Sequence, residues 1–284
     1  MANLKEIRNR IASVSSTMQI TSAMKMVSAA KLKKAQDAIT AMRPYSDKLT
    51  ELLQNLSATL DSDSGSKFSE KRDLKNVLIV AITSNRGLCG AFNSNIIKQA
   101  TAAASSYDAK VSIVAIGKKA NDALSKNFDV ISNQSAVFDD LTFDNVAAIA
   151  EMLMEQFESK AFDKIEVIYN KFKNAATQEI MTEQFLPIEP LENETNANLD
   201  YIFEPSKVEI IETLIPKSLK TQLYKSIRDS FASEHGARMT AMHKATDNAT
   251  ELRDQLKLTY NKARQASITN EILEIVGGAE ALNG

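Results

Sequence analysis

Stepping alternately by three and four from Leu4 picks out Ile7, Ile11, Val14, Met18, Thr21, Lys25, Ser28, Leu32, Ala35, Ile39 and Met42. The same register continues through Ser46, Leu49, Leu53, Leu56 and Leu60. A seven-residue repeat held this long keeps one stripe on one side of a left-handed supercoil. Residues 1–60 are therefore read as a coiled-coil helix, roughly 80 Å long at the helical rise per residue. Pro44 removes a backbone donor within it and predicts a kink or break near Arg43. The polar run Asp61-Ser-Asp-Ser-Gly-Ser66 predicts the end of the helix and a linker over 61–75.

The far end has the same character, and residues 206–284 are read as a second long helix with Ser206 as its N-cap. Ile211, Ile215, Leu219, Leu223, Ile227 and Phe231 recur every four residues, and Pro216 predicts a bend. Ala237, Ala241, Ala245 and Ala249 form a ladder of small side chains, after which Leu252, Leu256, Thr259 and Ala263 resume the stripe. Gly277-Gly278 supplies a stop after Val276. Small residues at a seam let two helix axes approach, and Ala23, Ser28, Ala29, Ala30 and Ala35 could face the ladder. The two ends are expected to pair as an antiparallel coiled coil, which covers both stripes.

Between them, residues 76–205 have another period. Asn76–Thr83 and Lys110–Ile116 are short continuous apolar runs, the form of strands buried on both faces. Helical stretches follow at Ser94–Ser106 and Lys118–Lys126. Phe128–Ser132 is a third strand candidate, Thr142–Lys160 is helical, and Lys164–Asn170 is a further strand. Thr177–Phe185 alternates as an antiparallel edge would, and Glu189–Asp200 is polar and loop-like. The alternation predicts an α/β fold: a Rossmann-like, mostly parallel domain inserted between the two coiled-coil helices.

Composition narrows the class. With 44% hydrophobic residues, 8 Gly and 5 Pro in 284 residues, the chain is neither collagen-like nor disordered. Its longest apolar run, Val77–Ile82, is far too short to span a bilayer, and no secretory signal opens it. Cys89 is the one cysteine, which excludes a disulfide framework and a cysteine zinc site and fits a reducing compartment. Residues 1–60 carry 9 Lys/Arg against 4 Asp/Glu, residues 61–205 carry 14 against 22, and residues 206–284 carry 11 against 10. A basic leading segment before an acidic middle suggests different partners for each, although a merely solvated basic face fits as well.

No catalytic constellation is visible. Ser84–Asn93 lies after the first strand and before a helix, where α/β domains bind phosphate. It matches neither G-x-x-x-x-G-K-[ST] nor G-x-G-x-x-G and contains no lysine, so a tight turn is the expected role. Cys89 has no histidine near it in sequence and is read as a packed small residue. His235 and His243 lack the neighbours of a metal set, and no cofactor is expected. Arg8, Arg10, Lys25, Lys31, Lys33 and Lys34 form a basic helix without interleaved aromatics, so nucleic acid is disfavoured and an acidic protein loop is an equal electrostatic match.

Three strings are distinctive: Ile20-Thr-Ser-Ala-Met-Lys-Met-Val-Ser-Ala-Ala-Lys31, Arg238-Met-Thr-Ala-Met-His-Lys-Ala-Thr-Asp-Asn248 and Tyr260-Asn-Lys-Ala-Arg-Gln-Ala-Ser-Ile-Thr-Asn-Glu-Ile272. With the turn Thr83–Asn93, they make the whole chain resemble the gamma subunits of F-type ATP synthases. The turn departs from the T-S-D-R-G-L-C-G motif at Asn85, where that family usually has Asp. The two-cysteine insert of chloroplast gamma subunits is missing, so thiol switching is not expected.

The resemblance implies a noncatalytic rotor that couples proton flow through a membrane c-ring to ATP synthesis or hydrolysis at alpha/beta sites. It implies alpha, beta, epsilon and c-ring partners, and a peripheral place on the cytoplasmic face of a bacterial membrane, attached through the complex. It also implies that Met24 and Lys25 approach an acidic loop of beta, that Arg264 and Gln265 contact a catch loop of beta, and that Arg238, Gln265 and Thr269 support coupling. The apolar tip Ile272–Leu282 would be enclosed by a hydrophobic collar. Two other classes compete, a static coiled-coil scaffold and a nucleotide-binding α/β protein.

Overall fold

The computed structural model describes residues 4–57, 67–188 and 207–283. The Asp61–Ser66 link, the Ser206 cap, the Glu189–Asp200 loop and Leu60 lie outside the described residues. Helix α1 spans Leu4–Ser57 and α5 spans Lys207–Asn283; between them come β1 (Asn76–Ile82), α2 (Phe92–Ser106), β2 (Lys110–Ile116), α3 (Lys118–Leu124), β3 (Asp129–Asn133), α4 (Phe143–Glu158), β4 (Lys164–Phe172) and β5 (Gln178–Leu186). Long terminal helices around a mixed sheet make this an α/β fold with a coiled-coil pair. Backbone contacts divide the chain into two compact units, Met1–Ser28 with Met239–Gly284, and Ala29–Arg238.

In the first unit α1 and α5 run antiparallel. Arg8 meets Tyr260, Met18 meets Thr250, and Thr21 meets Thr246, so partner numbers fall as the α1 numbers rise. The hydroxyls of Thr21 and Thr246 lie 2.8 Å apart, and Thr250 Oγ1 donates to Met18 Sδ at 3.3 Å. Ile7, Thr21, Ser28, Met242 and Ala249 are buried. Three-and-four stepping thus locates the inner face of α1, but Ala23 and Ala30, which lie off that stepping, are exposed rather than turned to a seam. On α5 the expected stripe beyond Ala249 holds at Leu256 and Ala263, which are half-buried, but Leu252 and Thr259 are exposed and the neighbouring Arg253 and Tyr260 take the inner positions.

The glycines depart from expectation, and neither proline breaks its helix. Helix α1 continues without a break through Pro44. Pro44 and Thr40 are both exposed, so water can serve the carbonyl that the proline leaves without its usual N–H partner. Helix α5 likewise continues through Pro216, and it passes Gly277 and Gly278, which stop nothing. Neither glycine takes a positive φ, the conformation a helix-ending glycine would need.

The second unit is built on one five-stranded sheet in the order β3-β2-β1-β4-β5. Strand β1 pairs in parallel with β2 and β4, β2 in parallel with β3, and β4 antiparallel with β5. The continuous apolar run of β1 is explained by burial on both faces. Ile79, Ala81, Ile113 and Ala115 pack with Ile96, Ala100, Ala120 and Leu124 of α2 and α3. Leu78, Val80, Ile82 and Val114 face Ile149, Leu153 and Phe157 of α4 and Leu219, Leu223 and Ile227 of α5. Each such side chain contributes about 1.5–3 kcal/mol on leaving water. In α1, the residues Leu32, Ala35, Ile39, Ser46 and Leu49 continue the same buried register.

Candidate functional site

The sheet order reverses at β1, and ligands of open α/β sheets bind at the carboxyl end of the strands beside such a reversal. Here the segment from Ser84 to Asn93 occupies that position and is tied down by its own side chains. The Ser84 amide donates to Asn93 Oδ1 at 2.9 Å, and Ser84 Oγ donates to the Arg86 carbonyl at 2.6 Å. Asn93 Nδ2 donates to Cys89 Sγ at 3.2 Å. Cys89 is buried, and that burial raises its thiol pKa. Leu88 takes φ 64°, a left-handed conformation costing about 1 kcal/mol in a non-glycine residue, and is 65% exposed.

Two further anchors close the turn. Asn85 Nδ2 donates to the Ser135 carbonyl at 3.0 Å, while its Oδ1 accepts from the Lys118 amide at 3.0 Å. The amide joins three loops by acting as donor and acceptor, which a carboxylate cannot do. From α5, Arg238 donates to the carbonyls of Arg86 and Gly87 at 3.1 and 3.3 Å and pairs with Glu234 at 2.5 Å. Burial raises the Glu234 carboxyl, against which the positive charges of Arg238, Lys31 and Arg86 act. Arg238 thus contacts the acid directly, and Lys31 and Arg86 act on it by charge alone. Next to it, burial and the charges of Arg238 and Lys31 lower the pKa of His235 to about 4, and neither ring nitrogen has a hydrogen-bond partner. A neutral imidazole packs edge-on against Phe231, with ring centroids 4.5 Å apart.

The residues singled out from sequence fall in both units. Arg238 belongs to the second and is engaged as described. Met24 and Lys25 are half-exposed on α1, whereas Arg264, Gln265 and Thr269 are exposed on α5, the last two one turn apart. His243 is exposed and pairs with Asp247 at 3.1 Å. Among the described residues, no group of three His, Cys, Asp or Glu side chains could hold a metal ion, and no helix is long and apolar enough to cross a membrane. Sequence reasoning missed Glu234, whose four-residue spacing to Arg238 was a readable signal. It also missed Arg8 with Tyr260, which only the antiparallel register brings together.

The ATP synthase family model matches residues 3–282. The ATP synthase gamma chain of Flavobacterium psychrophilum is 76% identical across the full length of both chains, and that of Cytophaga hutchinsonii 54%, again over both full lengths. Among solved structures, the central stalk and c-ring of the Tetrahymena thermophila mitochondrial ATP synthase holds a chain 27% identical, with a TM-score of 0.61 over 80% of this chain and 99% of that one. A chain of the Euglena gracilis mitochondrial ATP synthase shares the fold at 22% identity, with a TM-score of 0.72 over 98% and 94% of the two chains.

Proposed function

The chain belongs to the family of F-type ATP synthase gamma subunits, and from that premise we infer that it is the noncatalytic central rotor of such a complex. Its paired ends engage alpha and beta, and its α/β unit engages epsilon and the c-ring. Proton flow turns the ring, the rotor turns with it, and each catalytic site is driven through its conformations in sequence. The chain is thus a peripheral part of a membrane-bound assembly, on the cytoplasmic face of a bacterial membrane.

The observation that carries this reading is the antiparallel pairing of the two ends, together with apolar side chains left uncovered on it. Ile20, Met26 and Val27 on α1 and Ile268, Ile272, Leu273, Ile275 and Val276 on α5 are all exposed. Apolar side chains exposed in two such groups along the paired helices call for covering partners. The turn at the sheet reversal is filled by its own hydrogen bonds, which favours a rotor over a nucleotide-binding protein.

Met24 and Lys25 are assigned to the acidic loop of beta, Arg264 and Gln265 to its catch loop, and Arg238, Gln265 and Thr269 to coupling. Replacing Arg264 and Gln265 together by Ala in the assembled complex should lower ATP turnover or coupled proton pumping, because charge-assisted contacts are lost. Unchanged values for both refute the assignment. The isolated chain should show neither ATPase activity nor heat of ATP binding in calorimetry.

A further inference from the structure

We propose that Tyr260, held by Arg8, is a positioning residue for Arg264. The proposal rests on reading Arg264 as a contact to beta. Arg8 Nη2 donates to the Tyr260 hydroxyl at 2.9 Å, and the guanidinium carbon stands 5.8 Å from the ring centroid. One cation of α1 thus engages both the oxygen and the π face of an α5 side chain. Tyr260 is half-buried, whereas Arg8 and Arg264 are exposed.

Arg264 follows Tyr260 by four residues and therefore lies on the same face, one turn further along α5. Its charge acts on the phenol together with that of Arg8: the phenol pKa is lowered, first by the Arg8 hydrogen bond, with Arg264 adding to the effect. Two cations bear on one electronegative oxygen. Arg8 and Arg264 repel each other, and the phenol oxygen that Arg8 holds one turn from Arg264 gives the Arg264 guanidinium a favoured direction. A free arginine side chain samples many rotamers and loses that freedom on contact. A side chain already biased toward its bound direction loses less, which strengthens the contact without adding to it.

The test uses the assembled complex carrying Tyr260→Phe, Arg8→Ala or Arg264→Ala, and the Tyr260→Phe/Arg264→Ala and Arg8→Ala/Arg264→Ala doubles. Phenylalanine keeps the ring and its packing while removing the oxygen, so assembly yield and melting temperature should not change. Tyr260→Phe and Arg8→Ala should each lower ATP-driven turnover by about twofold to fivefold, the range of an exposed charged pair. Neither should add to the loss caused by Arg264→Ala, because coupled residues are non-additive. A merely structural tyrosine would give losses that add in full. Full additivity, or no loss from Tyr260→Phe where Arg264→Ala is costly, overturns the proposal alone. A silent Arg264→Ala overturns the contact reading, and this inference falls with it.

Discussion

Gly117 approaches Thr83 so closely that a Cβ built on the glycine would lie 2.2 Å from the Thr83 carbonyl oxygen. The approach joins the end of β1 to the start of α3, where Thr83 Oγ1 also accepts the Ala120 amide at 2.8 Å. Gly117 adopts φ 114°, which L side chains avoid. Gly117→Ala should therefore destabilise the α/β unit by about 3 kcal/mol or more, a backbone collision that cannot be relieved by a rotamer change. Urea unfolding followed by circular dichroism measures it.

Asn85→Asp restores the residue usual in the resembled turn motif but removes the donor to Ser135. At neutral pH it should cost about 1–3 kcal/mol, because a carboxylate then faces a carbonyl. Acidification should recover part of the loss, since the protonated acid can donate again. A variant as stable as the parent at pH 7 would show that the amide bridge contributes nothing.

His235 gives a pH dependence of definite sign. Its pKa falls from 6.5 to about 4 on folding, so the unfolded chain binds the proton more readily. The stability from this group is complete above the unfolded value and is lost as pH falls from 6.5 toward 4. The shift corresponds to about 3 kcal/mol. His235→Phe should flatten that part of the profile, and the His235 imidazole resonances of the parent should not titrate between pH 7 and about 5.

Asp229 has the opposite slope. It is 1% exposed and lies 3.8 Å from Arg43, and burial raises its pKa above the ordinary 3.8. A raised carboxyl favours the folded state below its unfolded pKa, and that contribution fades as pH rises through the folded value. Arg43, Lys225 and Lys171 oppose the shift. Asp229→Asn should make unfolding less dependent on pH above 4 and leave stability at pH 7 equal or higher. A large loss at pH 7 would mean that the Arg43 pair outweighs desolvation.

The strands and their mostly parallel direction were legible because apolar runs such as Val77–Ile82 and Ile113–Ile116, set between helical stretches, have the form of strands buried on both faces, whereas the order in which they pair was not. The α1 stripe was legible because Leu32, Ala35 and Ile39 keep a three-four step over many turns. Gly277 and Gly278 misled because local propensity costs a helix only about 1 kcal/mol per glycine, which its neighbouring turns can exceed. Arg8 with Tyr260, and Arg238 with the carbonyls of Arg86 and Gly87, join positions far apart in sequence. No local pattern encodes them, since each depends on the register between elements. Asn85 was visible as a departure, but its two bridges required the positions of Lys118 and Ser135.

Cys89 has one more consequence, for handling the molecule. It is the sole thiol of the chain, it is enclosed by Ser84 and Asn93, and its burial keeps it protonated at neutral pH. Only the thiolate adds to a maleimide, so a cysteine introduced on an exposed turn will take up dye or biotin while the native one is spared. Site-specific labelling can thus proceed on the natural background, with no need to delete Cys89 and disturb the turn it fills.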